Sequence, residues 1–350
     1  MEPETAGTGT GTTKSAGTGT TGAGVAQRRA AVIYNPVKVE AETLRAAIAA
    51  EPATRDWADI LWYETTEEDP GTGQAKQALE AGADMVIAAG GDGTIRAVAQ
   101  ELGGTSTSLA LLPSGTGNLL ARNLDLTLDD MEHSIGVAFD GADRSIDLAW
   151  AEIRRENGSV ERAAYLVMAG FGLDAKMLSN TDEELKAKVG WLAYVDAIRK
   201  ALRDKNRMRM RYRLDRRGTR TVSAHTLIIG NCGSLPANIL LLPTAAIDDG
   251  RFEAVFLRPE SAWGWLQIFV KVIWENGVLR RTKLGRKLVS RDVDALRYVK
   301  GHRLDVVLSH AEEVELDGDG FGRADAFRTW IDAGGLTVRV PVSEKEPTDD

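Results

Sequence analysis

Between Ala30 and about Leu126, apolar runs of strand length alternate with stretches whose apolar residues recur at helical spacing. AAVIYN (Ala30–Asn35) predicts a buried strand, Ala41–Ala50 a helix, ADILWYE (Ala58–Glu64) a second strand, and Gln74–Glu80 a second helix. A third strand, Asp84–Ala89, runs into GGDGT and a new helical pattern. A fourth, SLALLP (Ser108–Pro113), runs into SGTGN and a further helix. Strands separated by helices of this length predict a parallel, doubly wound α/β sheet, which binds ligands at the carboxyl ends of its strands.

Beyond Ser145 the period changes. SIDLAWAEIRR (Ser145–Arg155), RAAYLVMAGFG (Arg162–Gly172), RMRMRYRLD (Arg207–Asp215), AHTLIIGN (Ala224–Asn231), FEAVFLR (Phe252–Arg258) and LDVVLS (Leu304–Ser309) read as strands. Several alternate apolar with charged residues, as antiparallel strands with one wet face do. Helices are expected at about Glu183–Lys205 and Ala262–Asn276. The pattern divides the chain into a tail (1–28), an α/β domain (29–145), a β-rich domain (146–342) and an acidic tail (343–350).

Composition narrows the class. The 350 residues leave room for two cored domains. The single cysteine, Cys232, excludes an internal disulfide framework and favours a reducing, cytoplasmic setting. The Thr/Gly-rich start has no apolar core and predicts a disordered tail. No apolar run approaches the roughly 20 residues of a membrane span. The net charge of −8 hides a split. Residues 1–150 hold 10 Lys/Arg and 22 Asp/Glu (−12), whereas residues 186–303 hold 25 Lys/Arg and 10 Asp/Glu (+15). The basic half suits an anionic partner such as an acidic lipid surface or nucleic acid; the alternative is a solvated face offsetting the acidic domain.

The chemistry concentrates in two glycine-rich turns. Gly90, Gly91 and Gly93 lack side chains that would hold a bulky anion away, and the following helix points its positive end at the same place. Asp92 among these anion-binding elements points to nucleotide phosphates with a metal. In the second turn, PSGTGN (Pro113–Asn118), Thr116 can donate to a phosphate, and Asn118 can do so or cap the next helix. Two such turns at neighbouring strand ends predict one shared ligand.

GGDGT followed some twenty residues later by PSGTGN resembles the diacylglycerol kinase catalytic domain, shared with sphingosine kinases and bacterial lipid kinases. SIDLAW, GFGLDA (Gly170–Ala175), LKAKVGWLAYVDAIRKAL, LLPTAAIDDGRFEAVFL and VELDGDG resemble later segments of that family, so the similarity runs from about Ala30 to Val342. The resemblance implies an N-terminal domain like that of NAD kinase, a C-terminal β-sandwich, and an active site between them. It implies ATP contacts at Asn35, Thr65 (or Thr66), the Gly90–Arg96 turn including Thr94, and Thr116. It also implies a structural magnesium ion on the Asp249 side chain and the backbone oxygens of Ala246 and Arg251. Oxygen-only ligands suit magnesium; the alternative is an ordinary Asp-Gly turn. Where the family has Asn-Pro-x-Ser-Gly, this chain has Asn35-Pro36-Val37-Lys38. Where the family has glutamate after Asp-Gly, it has Asp319.

The resulting expectation is an ATP- and magnesium-dependent lipid kinase, peripheral to the inner face of a membrane. Asp319 is its general base, with Asp317 the competitor, and Asp92 supports the phosphates. Three tryptophans in Glu260–Arg281, followed by Arg280, Arg281, Lys283, Arg286 and Lys287, suit a lipid headgroup boundary. The four histidines show no metal-ligand spacing. The rivals are a catalytically silent lipid-binding protein on the same fold and an NAD kinase, whose Asn-Glu pair this sequence lacks. A nucleic-acid binder rests only on the arginine-rich strand.

Overall fold

The computed structural model of the chain describes residues 27–58, 60–115, 117–172, 207–235, 239–240, 242–259 and 296–342. Residues 1–26 of the N-terminal tail, the expected helices at 183–205 and 262–276, the aromatic and basic segment 260–287, and the acidic end lie outside the described residues.

The first half alternates as its periodicity predicts: β1 (Ala30–Tyr34), α1 (Ala41–Ala50), β2 (Leu61–Glu64), α2 (Thr72–Glu80), β3 (Met85–Gly90), α3 (Asp92–Leu102), β4 (Ser108–Pro113), α4 (Leu119–Asn123) and α5 (Met131–Asp140). The four strands are parallel in the order β4-β3-β1-β2. Because successive side chains face opposite ways, one face buries Ala31, Ile33, Val86 and Ala88 under α2 and α3. The other buries Val32, Met85 and Ile87 against Ile48 of α1 and Ile135 and Phe139 of α5. Helices on both faces explain why the central strands β1 and β3 are apolar and buried throughout.

The second half contains β5 (Ala142–Arg154), β6 (Val160–Tyr165), β7 (Met168–Phe171), β8 (Met208–Leu214), β9 (Arg220–Ala224), β10 (Thr226–Gly230), β11 (Ser234–Leu235), β12 (Ile239–Leu240), β13 (Phe252–Leu257), β14 (Leu296–Gly301), β15 (Arg303–Leu316) and β16 (Asp319–Val340). Apart from β11 and β12, which pair only with each other, they enclose an interior that includes Tyr165, Phe171, Phe252, Phe256 and Phe327, with Phe171 and Phe327 edge to face at 5.1 Å. On β8 the alternation is literal: Met208, Met210, Tyr212 and Leu214 point inward and Arg209, Arg211 and Arg213 outward.

Two expected strands are each divided. Arg162–Gly172 breaks at Leu166–Val167, whose N–H groups are taken by the Asp317 carboxylate rather than by a neighbouring strand. Ala224–Asn231 bends at His225, so that Ala224 ends β9 and Thr226 opens β10. The expected Leu304–Ser309 strand is part of the longer β15.

β16 was not foreseen, and it joins the halves. It pairs with β5 from Ala326 to Val340 and reaches β4 in parallel at Val338↔Leu109. A register shift between Asp332 and Leu336 absorbs Ala333–Gly335. Leu336 and Val338 thereby enter the core of the first half. The hydrogen-bonded sheet is continuous through β5, across residue 145. Among the described residues no helix is long and apolar enough to cross a membrane.

Candidate active site

The strand order β4-β3-β1-β2 reverses direction between β1 and β3, and the carboxyl ends on either side of such a reversal form a crevice. Asn35 and Thr65 follow β1 and β2, and the two glycine-rich turns follow β3 and β4. The Asn35 backbone N–H donates to the Ala89 carbonyl at 2.9 Å, and its side-chain Oδ1 accepts from the Val37 N–H at 2.9 Å. Asn35 therefore ties β1 to the end of β3 while shaping the Pro36–Lys38 turn. Thr65 is buried and its N–H donates to the Tyr34 carbonyl. Thr66 Oγ1 accepts from the Asp69 N–H.

The glycines are required by close approach. A Cβ on Gly90 would lie 2.8 Å from Thr94 Cβ, and one on Gly115 would lie 3.1 Å from Gly91 Cα. The turns thus touch each other. In front of Gly91 there is open space, with nothing within 4 Å of where its Cβ would stand. Gly91 gives α3 no side-chain cap, so the first turn of that helix is presented to whatever enters that space. Asn118 adopts a left-handed conformation (φ 47°), and its amide bonds both the Gly115 N–H and the Gly115 carbonyl. It closes its own turn and caps nothing with its side chain. Thr116 lies outside the described residues.

Asp92 links the two turns. Its Oδ1 accepts the Leu119 N–H at the start of α4 at 2.6 Å, and a Cβ on Gly117 would strike its Oδ2. Burial raises its carboxyl above the ordinary value, against the lowering effect of backbone N–H groups; nearby Asp319 adds to the rise.

The second half brings its own carboxylates to this edge on the hairpin between β15 and β16. Asp319 Oδ2 lies 3.0 Å from Arg96 Nη2 and 3.2 Å from where a Gly93 Cβ would stand. Its side chain is half exposed while that of Arg96 is 13% exposed. The Arg96 guanidinium also covers the Phe321 ring at 4.7 Å, and its buried Nε has no hydrogen-bond partner among the described residues. Asp317 is buried. Its two oxygens accept the N–H groups of Leu166, Val167 and Met168 at 2.8, 2.8 and 3.0 Å. Burial pushes its carboxyl up to about 6, restrained by those three N–H groups and by Arg96. Of the two aspartates in LDGDG, Asp319 is exposed beside the Gly90–Arg96 turn and Asp317 is buried.

Asn35, Thr65, the Gly90–Arg96 turn and Asp319 are therefore brought to one edge, but Ala246, Asp249 and Arg251 are not. That turn is tied to Asp147, whose oxygens accept the Gly250 N–H at 2.6 Å and the Gly334 N–H at 2.9 Å. Neighbouring Gly335 accepts from Gly104, just beyond the far end of α3. The residues present do not fit a magnesium ion there. Asp249 Oδ2 is 2.6 Å from the Lys300 ammonium, and Oδ1 accepts the Arg251 N–H at 3.0 Å.

Sequence reasoning missed Asp147, Lys300 and the Arg96–Asp319 pair. Asp147 did leave a signal, a lone carboxylate inside the apolar run SIDLAWA. The other two depend on contacts 51 or more residues apart and leave none. Cys232 is buried, its thiol pushed above the ordinary range by burial, and it contacts the Leu166 carbonyl.

Residues 29–151 match the family model of the diacylglycerol kinase catalytic domain. The "Probable lipid kinase YegS-like" of Pseudomonas aeruginosa (strain UCBPP-PA14) is 37% identical over 158 residues, covering 44% of this chain and 47% of that protein. A diacylglycerol kinase of Mycobacterium tuberculosis (strain CDC 1551 / Oshkosh) is 27% identical over 195 residues, covering 55% of this chain and 60% of that one. The chain thus spans about half the length of the curated relatives it matches. The crystal structure of a diacylglycerol kinase from Bacillus anthracis (Sterne) superposes with TM-score 0.59 at 18% identity, over 89% of this chain and 96% of that one. Yeast NADH kinase complexed with NADH gives 0.50 at 11% identity, over 92% and 85%. At such identities the likeness is one of fold: an α/β domain followed by a β-rich one.

Proposed function

We propose that residues 29–151, which match the family model of the diacylglycerol kinase catalytic domain, act as such a domain and that the chain transfers the γ-phosphoryl group of ATP to a hydroxyl of a membrane lipid. The observation that carries this reading is the meeting of Asp319 with the Gly90–Arg96 turn, 3.0 Å from Arg96. It sets a solvent-accessible carboxylate from the second half against an anion cradle from the first.

In this reading the open face of Gly91, the first turn of α3 and Arg96 hold the phosphates, with Asn35, Thr65, Thr94 and Thr116 around the nucleotide. Asp92 keeps the two turns in register. Magnesium bound with the nucleotide would neutralise the transferring phosphoryl group. The lipid oxygen bonds to the γ-phosphorus as its proton passes to Asp319 and ADP leaves. Catalysis of this kind is positioning and charge neutralisation. Arg96 has two tasks: it orients the Asp319 carboxylate, and it keeps a positive charge between that carboxylate and the incoming phosphates.

The lipid surface would be met by the basic second half, from the cytoplasmic side. Support comes from the outward arginines of β8, of which Arg211 and Arg213 border a groove of about 480 Å³ lined also by Arg154 and Arg328. Asp325 pairs with Arg154, Asp305 with Arg213 and Arg328, and Glu152 with Arg328, which leaves Arg209 and Arg211 of β8. The remainder suits an anionic bilayer, each basic residue adding about 1 kcal/mol near the surface.

The test is transfer of labelled γ-phosphate to diacylglycerol or sphingosine in vesicles containing phosphatidylserine, with lipid-free and NAD controls. Label in one lipid, falling as salt rises, is the expected result. Label in NAD, or ATP turnover indifferent to every lipid, overturns the reading.

A further inference from the structure

The segment from Leu242 to Arg251 leads into β13 and is anchored by protein groups along its length. The Thr244 N–H donates to the buried Glu253 carboxylate at 3.0 Å, and Gly250 is held by Asp147 through its N–H and by His302 Nδ1 through its carbonyl. Asp248 pairs with Arg144 at 2.7 Å. Two further oxygens of the kind that hold a hard cation, the Thr244 carbonyl and Asp249 Oδ2, converge on one point. That point is Lys300 Nζ, 2.6 Å from each.

Lys300 is delivered there by strand register. It lies on β14 opposite Glu253 of β13, so the ammonium reaches the turn from a fixed backbone position. Its side chain and that of Asp249 are each about two-thirds buried, at 29% and 32% exposure, which weakens solvent screening of the pair. A magnesium ion binds carboxylate oxygen at about 2.1 Å. On Asp249 Oδ2 it would stand beside the ammonium already on that atom, and the two cations would repel. The second oxygen of Asp249 is engaged by the Arg251 N–H.

We propose that Lys300 is the resident cation of this turn: its ammonium holds the Asp249 carboxylate and the Thr244 carbonyl, and the fold needs no divalent ion there. The cation is covalent and cannot dissociate. Any metal the chain requires is then held elsewhere than at this turn. This inference is independent of the lipid reading, because it concerns the order of the turn and not the reaction.

The experiment uses the full chain without nucleotide. Thermal unfolding is followed in EDTA and in millimolar magnesium, for the native protein and for Lys300→Met, which keeps the aliphatic stem. Manganese binding is measured by electron paramagnetic resonance on the native protein and on Asp249→Asn. The native melting temperature is expected to differ by less than about 1 °C between EDTA and magnesium, and Lys300→Met to melt lower. No manganese site that disappears in Asp249→Asn is expected. One manganese bound per native chain and lost in Asp249→Asn overturns the proposal. So does a rise of several degrees in the native protein with magnesium, or an unchanged melting temperature in Lys300→Met. If Lys300→Met does not fold, the native manganese measurement decides alone.

Discussion

Asp317 and Asp319 stand two positions apart in LDGDG and meet opposite surroundings. Asp317 turns inward and spends its carboxylate on three backbone N–H groups; Asp319 turns out to the crevice and Arg96. The motif made both candidates legible. Which one turns outward was not legible, because it depends on the break between β6 and β7 that supplies the three N–H groups. The inward carboxylate has a consequence for pH. Its folded-state value of about 6 lies above the ordinary 3.8, so the protonated form favours folding. That contribution is complete below the ordinary value and is lost as pH rises through about 6. Relative to Asp317→Asn, which does not titrate, the native protein should lose on the order of 1 kcal/mol of stability between pH 5 and 7.5. Urea unfolding at the two pH values measures it. A difference that stays flat across that range would show that Asp317 does not titrate there.

At the level of elements, the strand–turn–helix units of the first half were readable because period, strand length and glycine placement agree there. β16 was not. Its glycines at 320, 322, 334 and 335 punctuate the run like turns, and its partners β5 and β4 are far away in sequence. The two glycine-rich turns make separable predictions. Gly91 has extended backbone and open space before it. Gly91→Val should therefore leave the melting temperature nearly unchanged while raising KM for ATP on the order of tenfold or more. Gly90→Val instead meets Thr94 and should lose about 1–3 kcal/mol of stability. Parallel thermal and ATP-binding measurements distinguish them. A Gly91→Val protein with native ATP affinity would remove the cradle from the site.

Across the whole molecule, the candidate site exists only because both halves meet. α3 and its turn come from the doubly wound sheet, Asp319 from the β15–β16 hairpin, and the long β5 and β16 strands fix one half against the other. The sequence motifs named these parts separately, and the fold supplies their proximity. The central claim is that Asp319 takes the proton as lipid oxygen meets phosphorus. Its most direct test is single-turnover transfer from labelled ATP to the accepted lipid, comparing native protein with Asp319→Asn, with ATP affinity measured alongside. The account predicts transfer slowed by about 10²–10⁴-fold with ATP still bound; transfer at the native rate would contradict it.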